Sequence, residues 1–104
     1  MLEELRKITQ GYQHRFPEGN HPFQIMTRLL EEAGELAQTV NHFEGTGIKR
    51  EKYGQPDPAH LAKEIKDVLL CALQTAEVYQ VWPELEEHLR ASRDRLSAEG
   101  HLPQ

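Results

Sequence analysis

Apolar residues recur along the chain at helical spacing. Leu2, Leu5, Ile8, Tyr12 and Phe16 step by three and four, which predicts an amphipathic first helix ending before Pro17. The link Gly19-Asn20-His21-Pro22 then offers Asn20 or His21 as a cap, with Pro22 at the first helical position. Met26, Leu29, Leu30, Ala33, Leu36, Ala37, Val40 and Phe43 give a second helix a continuous stripe, closed by Gly45. A basic, Gly-containing loop over 45–57 leads to Asp57 and Pro58, the cap and first residue of a third helix. Its stripe is Leu61, Ala62, Ile65, Val68, Leu69, Ala72, Leu73, Ala76 and Tyr79. Val68–Leu73 is apolar nearly all round, which predicts burial on more than one side. Pro83 ends that helix, and Leu85, Leu89 and Leu96 carry a shorter, highly charged fourth. No segment alternates as a strand would.

The expected fold is therefore an all-α, four-helix bundle forming one domain over residues 1–104. Leu, Ile, Val and Phe make up about 23% of the chain, above the roughly 20% below which chains fail to fold. A chain this small buries only about two-thirds of its surface, so completion by oligomerisation, as a homodimer or homotetramer, is expected. The net charge of −5 argues against nucleic acid and anionic membranes as partners. No window is long and apolar enough to span a membrane, and MLEELRK has no signal core. The lone Cys71 excludes an internal disulfide and a cysteine zinc site, and fits a cytoplasmic protein.

The chemistry worth asking about is acidic. Glu32 and Glu35 lie on one flank of the second helix, with Glu31 one turn before Glu35. Glu64 and Asp67 repeat that spacing on the third helix. Like charges three or four residues apart destabilise a helix by a few tenths of a kcal/mol per pair. Both flanks border apolar stripes, so antiparallel packing would let them converge, and converging carboxylates require a cation. An oxygen-only donor set, with no ExxH on the second or third helix and no HExxH anywhere, suits Mg²⁺. A solvated acidic face, partly neutralised by Arg28, Lys63 and Lys66, is the other reading of the same residues.

The run Leu30-Glu31-Glu32-Ala33-Gly34-Glu35-Leu36-Ala37, followed by Glu64-Ile65-Lys66-Asp67-Val68-Leu69, resembles the EExxE…ExxD signature of MazG-like nucleotide pyrophosphohydrolases. These belong to the all-α NTP pyrophosphatase superfamily. The resemblance covers roughly residues 20–80, with 28 residues between Glu35 and Glu64 at the long end of the family's gap. It implies hydrolysis of a nucleoside triphosphate, ribo or deoxy, to the monophosphate and pyrophosphate, as a nucleotide-pool cleaning activity. By the same resemblance Glu32, Glu35, Glu64 and Asp67 match the family's Mg²⁺ ligands, with Mn²⁺ as a possible substitute. Glu31 matches a position that holds a further ion or orients the attacking water, a catalytic role.

Around this constellation stand further candidates. His42, seven residues after Glu35, matches a position where relatives place a residue lining the base pocket; an exposed helix-end histidine is the alternative. Lys49, Arg50 and Lys52 form a basic run that would meet substrate phosphates, or else a solvated charge run. Trp82 reads as an apolar anchor more readily than as a base-stacking ring. Many relatives carry Lys-Asn-x-x-Arg in the fourth helix; this chain has Arg90, Arg93, Asp94 and Arg95 with no Asn. The competing function is a non-catalytic helical interaction module whose acidic face binds a metal or a basic partner.

Overall fold

The computed structural model describes residues 2–45 and 54–103. Helix α1 runs over Leu2–Arg15, followed by a 3₁₀ turn at Pro17–Gly19. Helix α2 spans Pro22–Glu44, α3 Pro58–Tyr79 and α4 Trp82–Ala98, with no strand among the described residues. The fold is all-α.

The helix boundaries follow from local chemistry. His21 is the cap of α2: its Nδ1 accepts from Phe23 N at 3.2 Å, while its own N–H donates to Gln24 Oε1 at 3.4 Å. Gly45 closes α2 with φ 72°, a left-handed conformation that glycine adopts without strain. Asp57 accepts from Ala59 N at 3.0 Å to start α3. Gln80 ends α3 in the same left-handed region, φ 54°, with its amide bonded to Glu77 O at 2.6 Å.

Helices α2 and α3 pack antiparallel. Arg28 donates to Gln74 Oε1 at 2.7 Å, and further along α2 Glu32 and Glu35 meet Glu64, earlier on α3. The inner row of α2 is Ile25, Leu29, Glu32, Leu36, Thr39 and Phe43, all buried or half-buried. That of α3 is Leu61, Glu64, Val68, Cys71, Thr75 and Val78. Each expected stripe thus merged two rows, and the structure separates them. Met26, Leu30, Ala33, Ala37 and Val40 form an exposed outer row on α2, with Ala62, Ile65, Leu69, Ala72 and Tyr79 on α3. Val68–Leu73 is buried on two sides, as expected: Val68 and Cys71 lie on the inner row toward α2, Leu70 and Leu73 pack with Leu2 and Leu5 of α1, and Leu69 and Ala72 stay exposed. Both outer rows are displaced by one residue, in the same sense, from the inner rows. On antiparallel helices that displacement puts them on one side of the hairpin.

Helix α1 packs against α3. Leu2 and Leu5 meet the cluster of Leu70, Leu73, Ala76 and Trp82, joined by Leu85. Trp82 is 2% exposed, and its Nε1 donates to Glu77 Oε2 at 2.5 Å. Gln10 donates to Glu77 Oε1 at 3.1 Å, and the Arg6 guanidinium lies 5.5 Å from the Trp82 ring centre. One carboxylate thus ties α1, α3 and the start of α4. Burial pushes the Glu77 carboxyl up, but bonds from Trp82, Gln10 and Gln80 outweigh it and hold it below its ordinary value. Past Leu85 every residue of α4 is exposed. No described helix is long and apolar enough to cross a membrane.

Candidate metal centre

The 3.6-residue repeat places Glu32 on the inner row of α2 and turns Glu35 slightly aside of it, toward the same face of α3. Glu64 sits on the inner row of α3, only 4% exposed. One carboxylate oxygen from each of Glu32, Glu35 and Glu64 lies within 4.8 Å of the other two. Glu32 Oε2 and Glu64 Oε2 are both buried without a hydrogen-bond partner. A buried acceptor left unpaired costs about 1–3 kcal/mol, and more when charged. Burial, then the Glu35 and Asp67 charges, push the Glu32 carboxyl above its ordinary value. Converging, underbonded, all-oxygen donors fit a hard divalent cation.

The predicted residues divide unequally around this point. Glu32, Glu35 and Glu64 come together. Asp67, one turn beyond Glu64, is instead bonded to Lys63 Nζ at 2.9 Å and to Lys66 Nζ at 2.8 Å. Burial raises the Asp67 carboxyl, but these two lysines overcome it and hold it below its ordinary value. Glu31 is exposed and lines a shallow surface hollow with Thr27 and Arg28, outside the three-carboxylate group. His42 is half-buried, its Nε2 2.7 Å from Gly54 O, so it fastens the far end of the 45–57 connection to α2. Lys49, Arg50 and Lys52 lie outside the described residues.

Some neighbours of the site escaped the sequence reading. His60 is one of them: its Nε2 lies 3.2 Å from Glu64 Oε1. The i, i+4 step from His60 to Glu64 was the available signal. A hollow of about 150 Å³ opens beside the cluster, lined by Tyr12, Glu32, Asp67, Leu70, Cys71 and Gln74. Tyr12 comes from α1, and helix spacing within α2 and α3 carries no information about it. Arg28 closes one end of the hairpin through Gly19 O at 3.0 Å as well as Gln74. A Cβ at Gly19 would stand 3.0 Å from the Arg28 guanidinium and would push it aside.

Residues 21–91 match the sequence profile of the MazG nucleotide pyrophosphohydrolase domain. The chain belongs to the MazG family. The matched span holds α2, α3 and the start of α4, hence every carboxylate of the cluster and both lysines on Asp67. This MazG chain is also similar to the uncharacterized protein YpjD of Bacillus subtilis (strain 168), with 36% identity over 69 residues. That alignment covers 65% of the chain and 60% of the relative's length. No solved structure matches it.

Proposed function

We propose that this MazG chain is an Mg²⁺-dependent pyrophosphohydrolase that converts nucleoside triphosphates to the monophosphate and pyrophosphate. The observation that carries the reading is the convergence of Glu32, Glu35 and Glu64, two of them with buried, unpaired oxygens, within a MazG domain. Glu32, Glu35, Glu64 and Asp67 are the proposed ligands of the ion, with Mn²⁺ as a substitute. When bound, Mg²⁺ supplies neutralisation of phosphate oxygens and acidifies water.

The chain's own groups supply the remainder. His60 stands 3.2 Å from Glu64 Oε1, and Glu64 keeps a second oxygen, Oε2, without a partner. Glu31, exposed one turn before Glu35, orients the attacking water. The hollow under Tyr12 admits part of the substrate, with Leu70 and Cys71 excluding water at its floor. His42 borders the base pocket, and Lys49 and Arg50 meet the substrate's phosphates. In the overall reaction water adds across one phosphoric anhydride bond, pyrophosphate leaves, and one proton passes to solvent.

The domain is proposed to comprise residues 1–104 and to work in the cytoplasm as a homodimer or homotetramer. The outer rows support the assembly: Leu30 is 75% exposed, Ile65 50% and Leu69 41%, all on one side of the hairpin. Apolar surface of that extent is what a second copy would cover. The test is a panel of ribo- and deoxynucleoside triphosphates, with Mg²⁺ and with chelator, in which pyrophosphate and phosphate are measured separately. Pyrophosphate release that depends on Mg²⁺ is expected. Phosphate as the primary product would make it a different phosphohydrolase, and no turnover of any member would favour a binding module.

A further inference from the structure

The four proposed ligands are not in one state. Three converge, and one of them, Glu64, is nearly fully buried and keeps an unpaired oxygen. The fourth, Asp67, has both carboxylate oxygens taken: Lys63 Nζ holds Oδ2 and Lys66 Nζ holds Oδ1. Both lysines are on Asp67's own helix, so they reach it without any tertiary rearrangement. Their side chains are 58% and 47% exposed, against 20% for Asp67. The two ammonium groups are therefore open to solvent, and to an anion arriving from it, while Asp67 is not.

Charge arithmetic explains why such an arrangement matters. Three carboxylates and one divalent cation leave a net negative site, into which a polyphosphate would bring still more negative charge. Arg28 is already engaged by Gly19 O and Gln74 Oε1. Among the described residues, Lys63 and Lys66 are thus exposed cations next to the cluster that can change partner. A half-exposed ammonium on a flexible stem does so at modest cost, because an ion pair left open to solvent on one side is worth only about 1 kcal/mol.

We propose that Lys63 and Lys66 form a latch on Asp67, which keeps that carboxylate out of the metal cluster until a polyphosphate draws the two lysines away. The proposal rests on the metal-site reading above and adds to it an order of events. Polyphosphate and metal then strengthen each other's binding through Asp67, and by linkage the coupling is reciprocal. Lys63 and Lys66 are positioning residues for Asp67 and contacts for substrate phosphate.

The test is a double-mutant cycle on the full chain, read as Mn²⁺ affinity by calorimetry in phosphate-free buffer. Lys63→Gln with Lys66→Gln should tighten Mn²⁺ binding at least threefold. In an Asp67→Asn background the same two changes should gain much less, because there is no carboxylate to release. The single lysine changes should each give a smaller gain of the same sign, and they serve if the double variant melts too low. In turnover, the double lysine variant should need less Mn²⁺ for half-maximal rate while its KM for the nucleotide rises. Equal tightening with and without Asp67 would show only a general effect of charge and overturn the latch. Unchanged Mn²⁺ affinity in a parent that does bind Mn²⁺ would overturn it too, leaving the metal site intact. Absence of Mn²⁺ binding in parent and variants alike would remove the metal-site reading and the latch together.

Discussion

Replacing Glu32 by Gln should make the chain more stable than the parent without metal and less stable than the parent with it. Its carboxylate shares a 4.8 Å neighbourhood with Glu35 and Glu64. Two unit charges at that distance repel by about 1 kcal/mol in water and about 3.5 kcal/mol at an effective dielectric near 20. Glu35 is exposed and solvent screens the repulsion, so the lower end applies, and the amide should stabilise the metal-free chain by about 1–2 kcal/mol. The new NH₂ group can also donate to a neighbouring carboxylate. For a domain of this size that is an upward shift of at least about 4 °C. In the parent, Mg²⁺ at a hundredfold excess over its Kd adds about 2.7 kcal/mol. The variant should lose most of that increment, so it melts higher than the parent in chelator and lower in Mg²⁺. Turnover should be abolished. The assay is paired calorimetric melting at one protein concentration, with EDTA and with Mg²⁺, alongside pyrophosphate release. A variant that melts several degrees lower in EDTA would show Glu32 to be a structural acceptor and refute the reasoning.

The pH dependence of the metal-free chain should have two limbs. Glu32 has a folded value above its ordinary 4.5, so stability rises as pH falls toward that value. Asp67 and Glu77 lie below their ordinary 3.8 and 4.5, so their contribution is lost on further acidification. Melting temperature in chelator should therefore peak in mildly acid buffer, and a steady fall from pH 7 would contradict this. Light scattering at micromolar concentration should give a dimer or tetramer, and Leu69→Asp, on the outer row, should shift it toward monomer; a monomeric parent would refute the assembly. Replacing Lys49, Arg50 and Lys52 together by Ala should raise KM severalfold with little effect on Mg²⁺ affinity. An unchanged KM would make them a solvated charge run.

The boundaries of α2 and the start of α3 were legible because they depend on short-range chemistry: Pro22 and Pro58 at first helical positions, Asp57 as a cap, Gly45 with φ 72°. The end of α3 was not, since Gln80 closes it and Pro83, expected to end it, sits in the first turn of α4. The pairing of Glu32 and Glu35 with Glu64 was legible for a related reason, since two i, i+3 acidic pairs on consecutive antiparallel helices can meet at one level. What periodicity could not give was the direction each face would turn. On α3, Leu69 and Leu70 are chemically identical neighbours, yet Leu70 is buried under α1 and Leu69 is exposed. The choice is made by α1 and by Glu77, whose contacts with Gln10 and Trp82 are long-range or cross a helix break. The lysines beside Asp67 were visible as charge, but their preference for that carboxylate over the others is a matter of rotamer and exposure.

The most direct measurement follows one nucleoside triphosphate, the best of the panel, by phosphorus NMR with the parent chain and with Glu35→Gln. With Mg²⁺ the parent should give nucleoside monophosphate and pyrophosphate as the only initial products, and EDTA or the Glu35 change should stop both. Initial release of orthophosphate and nucleoside diphosphate, or hydrolysis that survives both EDTA and Glu35→Gln, would contradict a metal-dependent pyrophosphohydrolase built on these carboxylates.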